Sequence, residues 1–192
     1  SSVAWQHPGG IAWKAGIDGF RVSKNATRTI RRAENQMPIV RDYLWPFADM
    51  VQTGAYLRGT KSLSEKVRFT GTARVDFGHI SADSASDFFT GNVGPLTGDS
   101  FFIPNAAMQL RIGLNGPWHM IIGVGSTGRI PSIMERYSDR IPSSKAQTSA
   151  EFVGNPELTP ERNNQVDVEL QGRSNRFLVS INPFFRYINQ YI

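Results

Sequence analysis

Val67-Arg68-Phe69-Thr70-Gly71-Thr72-Ala73-Arg74-Val75-Asp76-Phe77 is the stretch on which the fold turns. Val67, Phe69, Gly71, Ala73, Val75 and Phe77 fall on one side, and Arg68, Thr70, Thr72, Arg74 and Asp76 on the other. Side chains alternate across a strand, so an extended chain here has one apolar face and one polar face. A helix would scatter Arg68 and Arg74 among the apolar residues.

The same grammar recurs outward from this segment. Downstream, Met108, Leu110, Ile112 and Leu114 oppose Gln109 and Arg111, and Trp118, Met120, Ile122 and Val124 oppose His119, Ile121, Gly123 and Gly125. Val166, Val168 and Leu170 oppose Gln165, Asp167, Glu169 and Gln171, and Phe177, Val179, Ile181, Phe185 and Tyr187 oppose Ser180, Asn182 and Arg186. Upstream, Val51, Thr53, Ala55 and Leu57 oppose Gln52, Tyr56 and Arg58, while Ile11, Trp13, Ala15 and Ile17 oppose Lys14 and Asp18. The pattern predicts about seven strands, many longer than the ~5–6 residues usual in globular sheets. Short turns are expected at Ser62-Leu63-Ser64-Glu65, Asn115-Gly116-Pro117 and Gly172-Arg173-Ser174-Asn175, with a fourth at Pro8-Gly9-Gly10. Between them lie long polar connections at roughly 23–50, 80–104 and 130–163. Short turns at one end and long loops at the other is the layout of an antiparallel transmembrane β-barrel, with short periplasmic turns and long extracellular loops. Trp5, Trp13, Trp118 and Phe177 flank the short turns, as an interfacial aromatic girdle would. A soluble β-sandwich binding module is the other all-β architecture that alternates in this way.

Composition narrows the classes further. The 192 residues carry 21 Lys+Arg against 16 Asp+Glu, a net charge of +5, and charged residues are 19% of the chain, below the roughly 25% of a typical soluble domain. With 40% hydrophobic and 11% aromatic residues, a disordered tail is excluded. No apolar run approaches the ~18 residues of a transmembrane helix, which leaves strands as the means of crossing a membrane. There is no cysteine, so disulfides, thiolate metal sites and cysteine nucleophiles are excluded. His7, His79 and His119 form no metal-ligand spacing, no GxSxG elbow occurs, and the spaced glycines of Gly123–Gly128 lie on a strand pattern and open no helix. The reading is therefore of a protein that is not an enzyme and carries no cofactor. The basic residues are spread over several strands and interleaved with Asp18, Asp76, Asp167 and Glu169, which argues against a nucleic-acid surface.

The last third holds Gly154-Asn155-Pro156-Glu157-Leu158-Thr159-Pro160-Glu161, which resembles the GNPxLxPE signature of TonB-dependent outer-membrane receptors. Arg129-Ile130-Pro131-Ser132 resembles the RxPS element of the same family, and Glu135-Arg136-Tyr137 its ERY continuation. Thr72–Asp76 resembles its GxRxD strand, and Gly54-Ala55-Tyr56-Leu57 stands where its xxxYxQ strand falls. These elements occur in family order and cover 11–192. The resemblance implies that residues 1–192 are part of one β-barrel domain, about a third of a barrel of roughly 22 strands with a plugged lumen. It implies that the plug domain lies outside this chain, in the outer membrane of a Gram-negative bacterium. It implies active transport of a scarce nutrient, such as a metal ion or siderophore chelate, with energy supplied by TonB through the plug. The partners implied are outer-membrane lipid, the plug, the remaining strands and TonB.

Within that frame Arg68, Arg74, Asp76, Arg111, Asp167 and Glu169 are expected to face the lumen. Arg129, Pro131, Gly154, Asn155, Pro156, Glu157, Leu158, Pro160 and Glu161 carry the signature. Its prolines fix φ and set bends, and Glu157 and Glu161 can pair with Arg129 or Arg162 at the rim, which makes it a structural element. The arrangement looks closest to the copper-receptor branch. Thioether and imidazole suit copper, so Met37, Met134 and His79, with Met50, are the loop candidates for a transported metal, while Met108 and Met120 fall on the apolar face. A non-transporting structural or interaction subunit built from a receptor-like barrel fragment is the alternative from another functional class.

Overall fold

The computed structural model describes residues 1–31, 33–35, 38–139, 141–142 and 151–191. Among these residues eleven strands and two short helices follow one another. β1 (Ser2–Gln6), β2 (Ile11–Arg31), β3 (Pro38–Ser62), β4 (Val67–Ala82), α1 (Asp87–Asn92), β5 (Asp99–Gly113) and β6 (Trp118–Arg129) form the first part. α2 (Ile133–Tyr137), β7 (Ile141–Pro142), β8 (Glu151–Phe152), β9 (Glu161–Arg173), β10 (Leu178–Ile181) and β11 (Phe184–Asn189) complete it. Nine strands make one antiparallel sheet in the order β1-β2-β3-β4-β5-β6-β9-β10, with β11 also on β9. Among the described residues β7 and β8 pair with each other, apart from the large sheet. The sheet is a meander: each strand returns beside its predecessor, apart from the small insertion between β6 and β9.

The four predicted short turns all close hairpins at one end. His7 and Ile11 close the first, Leu63 and Val67 the second, Leu114 and Trp118 the third, and Ser174 and Phe177 the fourth. Gly10 and Gly116 adopt φ of 78° and 67°, the left-handed region that their turns require. Besides the small β7–β8 pair inside the expected 130–163 connection, the strand count of the large sheet differs from the sequence expectation in two places. Ser2–Gln6 adds a short strand, because Trp5 stacks on Trp13 with ring centroids 6.4 Å apart. The last strand is broken at Asn182-Pro183, where proline cannot donate to the ladder and its carbonyl instead accepts from Val168.

The long connections are also shorter than expected. Much of 23–50 is strand: β2 and β3 continue as a hairpin of 21 and 25 residues, with register shifts between Lys24 and Thr27 and again before Arg31. At ~3.4 Å per residue such strands run to about 70 Å or more, well past a ~30 Å hydrocarbon layer even when tilted. The loop reading failed here because neither segment alternates: 23–31 is largely polar on both sides, and in 38–48 apolar and charged residues fall on both sides.

Register fixes the two faces. Phe77 stands opposite Phe102, Met108 opposite Val124, and Val124 opposite Val166 on the apolar face. Most of these large side chains are exposed: Phe77 55%, Phe102 58% and Met108 56%. Among the described residues no second layer covers this face. The buried apolar cluster of the described residues sits instead at the long-loop end, where Met50, Ile80, Ile103, Ile130, Ile133 and Tyr137 meet.

Candidate functional site

The polar face carries Arg68, Arg74, Asp76, Arg111, Asp167 and Glu169 together, as strand parity requires. Its best-built feature is centred on Arg74. The Arg74 guanidinium donates to both carboxylate oxygens of Asp18 at 2.7 Å, reaching from β4 across β3 to β2. The same group holds Asp76, with Nε to Oδ2 at 2.9 Å and Nη2 to Oδ1 at 2.6 Å. Asp76 is only 5% exposed. It also accepts from Asn105 Nδ2 at 2.8 Å and Gln52 Nε2 at 3.3 Å. A buried carboxylate is tolerated when its lone pairs are filled in this way. Gly54 lets the guanidinium cross β3: a Cβ there would fall 2.1 Å from Arg74 Nη2 and 2.5 Å from Asp76 Oδ1. Gly123 does the same for Asp167, whose Oδ2 would lie 2.4 Å from an added Cβ. Asp167 accepts from Gln165 at 3.2 Å, and Gln165 in turn accepts from Arg186. A trough of about 360 Å³ runs along this face between Arg58, Thr72, Gln109, Gly123 and Asp167.

The signature residues form a second construction, at the long-loop rim. Ser132 caps α2 and Glu135 closes the capping box by accepting from the Ser132 amide at 2.7 Å. Arg129 bridges Glu135 at 2.9 Å and Glu161 at 3.4 Å. The Asn155 amide donates to Glu135 O at 2.9 Å and the Gly154 amide to Ser138 O at 2.7 Å. The RxPS, ERY and GNPxLxPE segments are thereby tied into one knot. Arg136, 1% exposed, lies at its centre. It pairs with Asp99 at the start of β5, donates to Leu158 O at 2.8 Å, and lies 5.3 Å from the centre of the Phe101 ring. Tyr137 donates to Thr97 O, and Asp139 accepts from the Ser86 amide and hydroxyl at 2.8 and 2.9 Å. Burial raises the Tyr137 hydroxyl above its ordinary range. Pro131 and Pro156 are buried, Leu158 and Pro160 are half-buried, and Glu157 is exposed. Arg162 donates to Ser126 Oγ and Pro104 O, both at 3.0 Å. The burial of Arg136 and the reach of Arg74 to Asp18 were not read from the sequence. The ERY and GxRxD resemblances marked the residues, but not their partners on distant strands.

The metal candidates are placed apart. His79 lies inside β4, where a loop was expected, on the face of Phe77, with Nδ1 3.0 Å from Ser100 Oγ. Met134 is exposed on α2, and Met50 is buried in β3 within the apolar cluster. Met37 lies outside the described residues. Among the described residues no cluster of three or more His, Asp or Glu is arranged to hold an ion.

An open antiparallel meander with one bare apolar face, one charged face and its turns and loops segregated by end defines a piece of a transmembrane barrel. The sequence model for the TonB dependent receptor-like, beta-barrel family matches residues 2–192, and the chain belongs to that family. No curated protein sequence matches. Among solved structures it is similar to the copper transporter OprC, at 15% identity and a TM-score of 0.74, over 97% of this chain and 29% of that one. It is also similar to a double mutant of the Serratia marcescens hemophore receptor HasR in complex with its hemophore HasA and heme, at 12% identity and a TM-score of 0.65, over 99% of this chain and 32% of that one. The chain thus spans about a third of the length of these structures.

Proposed function

We propose that this chain is the barrel portion of an outer-membrane receptor of a Gram-negative bacterium that takes up a metal ion or metal chelate. The energy reaches it from TonB through a plug domain seated against the polar face. The observation that carries the reading is the sheet itself: a family barrel sheet whose apolar face is bare among the described residues, as a face that meets lipid would be. The opposite face holds the Asp18–Arg74–Asp76 network and an open, partly polar trough suited to a lumen. The metal class is supported by two similar structures, one titled a copper transporter and the other a receptor bound with heme.

Uptake tests it. Radiolabelled copper and heme iron are followed in cells carrying the intact receptor, cells deleted for it, and cells deleted for TonB. Accumulation of either that falls to background in both deletions supports the proposal. Accumulation unchanged by removal of the receptor, for both cargoes, overturns the metal class. Recovery of the intact receptor in a soluble fraction without detergent overturns the membrane assignment.

A further inference from the structure

Arginines at two levels of the polar face are treated differently. At the upper level Arg74 is neutralised by two carboxylates. At the lower level, toward the short turns, Arg68 on β4 and Arg111 on β5 stand directly opposite one another in the register. Their Cα atoms are about 5 Å apart, as for any directly opposed pair, and like charges so placed repel. Sheets ordinarily avoid this or place an acid between. Here the neighbouring residues add to the problem. Lys66 and His119 line the same cleft, a space of about 390 Å³ that Ser62 and Ser64 also border. Among the described residues the side chains of Arg68, Arg111 and Lys66 have no ion-pair or hydrogen-bond partner. The His119 Nε2 atom is buried and likewise without a partner. Glu65 lines the cleft from the β3–β4 turn without an ion pair. Glu169 shares the row of Arg111 but stands beyond Ile121, and takes the Ser180 hydroxyl at 2.8 Å.

The geometry points to an oxyanion site in this cleft, with the Arg68 and Arg111 guanidinium groups as its clamp and Lys66 and the His119 Nε2–H completing the donors. Guanidinium forks present paired N–H groups that match a carboxylate or a phosphate. An anion between them converts a repulsive cross-strand pair into an attractive one, and gives the buried imidazole nitrogen an acceptor. The cleft faces the short-turn end of the lumen. The oxyanion is supplied either as a carboxylate by another segment of the receptor or as free inorganic phosphate. The site depends on the barrel placement proposed above and not on the cargo.

The test uses the intact receptor purified in detergent, beside its Arg68→Gln/Arg111→Gln variant, with thermal unfolding followed in chloride and in phosphate at equal ionic strength. A saturable rise in the melting temperature of the wild type with phosphate, absent in the variant, supports the site with a free anion. A melting temperature indifferent to phosphate but lowered in the variant supports it with an internal carboxylate. In that case an Arg68→Lys/Arg111→Lys receptor treated with carbodiimide yields a zero-length cross-link from residue 66, 68 or 111 to an acidic residue outside 1–192. A variant as stable as the wild type or more so in both buffers, with no such cross-link, overturns the site, because an unoccupied pair gains from losing its repulsion. None of these readouts involves uptake, so failure of the transport reading leaves them interpretable.

Discussion

At the scale of the residue, the rim knot rests on a few side chains that have no substitute. Arg136 joins three segments through Asp99, Leu158 O and the Phe101 ring. Because Asp99 is 42% exposed, the ion pair itself is partly screened. The loss in Arg136→Leu is then chiefly that of charge-assisted hydrogen bonds, about 2 kcal/mol. It is expected as faster proteolysis of the 130–160 connection, with the strands unaffected. Gly154→Ala should loosen the same connection, since its Cβ would fall 2.6 Å from the Arg136 backbone, which has no freedom to retreat. Glu135 gives the knot a pH dependence. Burial pushes its carboxyl up, but the hydrogen bonds from Arg129 and Ser132 prevail and hold it below the ordinary glutamate value of 4.5. A carboxyl depressed in the folded state contributes stability above the unfolded pKa and loses it as pH falls through the folded one. Amide protection in the connection should therefore decline below about pH 4.5. Glu135→Gln should flatten that profile. The signature residues were legible in the sequence as a bend-forming element, since Pro156 and Pro160 announce bends. The partner of Arg136 was not, because nothing local to Arg136 points to an aspartate at the start of β5, 37 residues away.

At the scale of the element, alternation carries the information and tolerates little error. A shift of one residue would exchange the faces of a whole strand. The register of β5 therefore makes a sharp prediction. Met108→Arg places a charge on the apolar face, at a cost of about 2–4 kcal/mol if it lies near the bilayer midplane. Gln109→Arg, one residue on, enters the polar trough and should be nearly neutral. Urea unfolding of the intact receptor in lipid vesicles distinguishes the two, and equal losses would refute the face assignment. Alternation was readable wherever one face of a strand is apolar throughout. It failed where no alternation exists: the upper part of β2, 23–31, is largely polar on both sides, while in 38–48 of β3 apolar residues and the charges Arg41 and Asp42 fall on both sides, so this extension of the hairpin was read as loop. Glycine opposite an aromatic escaped the sequence for a related reason. Trp13 lies over Gly59 and Trp118 over Gly172, each ring within 3 Å of where a Cβ would stand. These cross-strand pairs become visible only once register is known.

At the scale of the whole molecule, the sheet ends in two unpaired edges. β1 covers only Ala12 to Gly16 of β2, and among the described residues no strand pairs with the outer edge of β2 beyond Ile17. At the other end, β10 and β11 together present a broken strand whose outer N–H and C=O groups have no ladder partner in the sheet. In lipid each unsatisfied backbone group costs several kcal/mol. An edge of ten residues leaves on the order of five donors and five acceptors, and the total of tens of kcal/mol exceeds the ~5–15 kcal/mol net stability of a typical domain. Nor can the edges meet: nine strands could close a small barrel, but closure needs a register between β1 and the last strand, and β1 has only five residues to offer. The 192-residue segment expressed alone should therefore fail to give a compact, heat-modifiable monomer in detergent. It should associate through its edges into β-rich oligomers, seen by light scattering and circular dichroism. The same segment within the intact receptor should migrate as a folded species until boiled. A compact monomer from the isolated segment would show that the two edges find each other. It would make this sheet a barrel in its own right and overturn the proposal that a plug and further strands complete it.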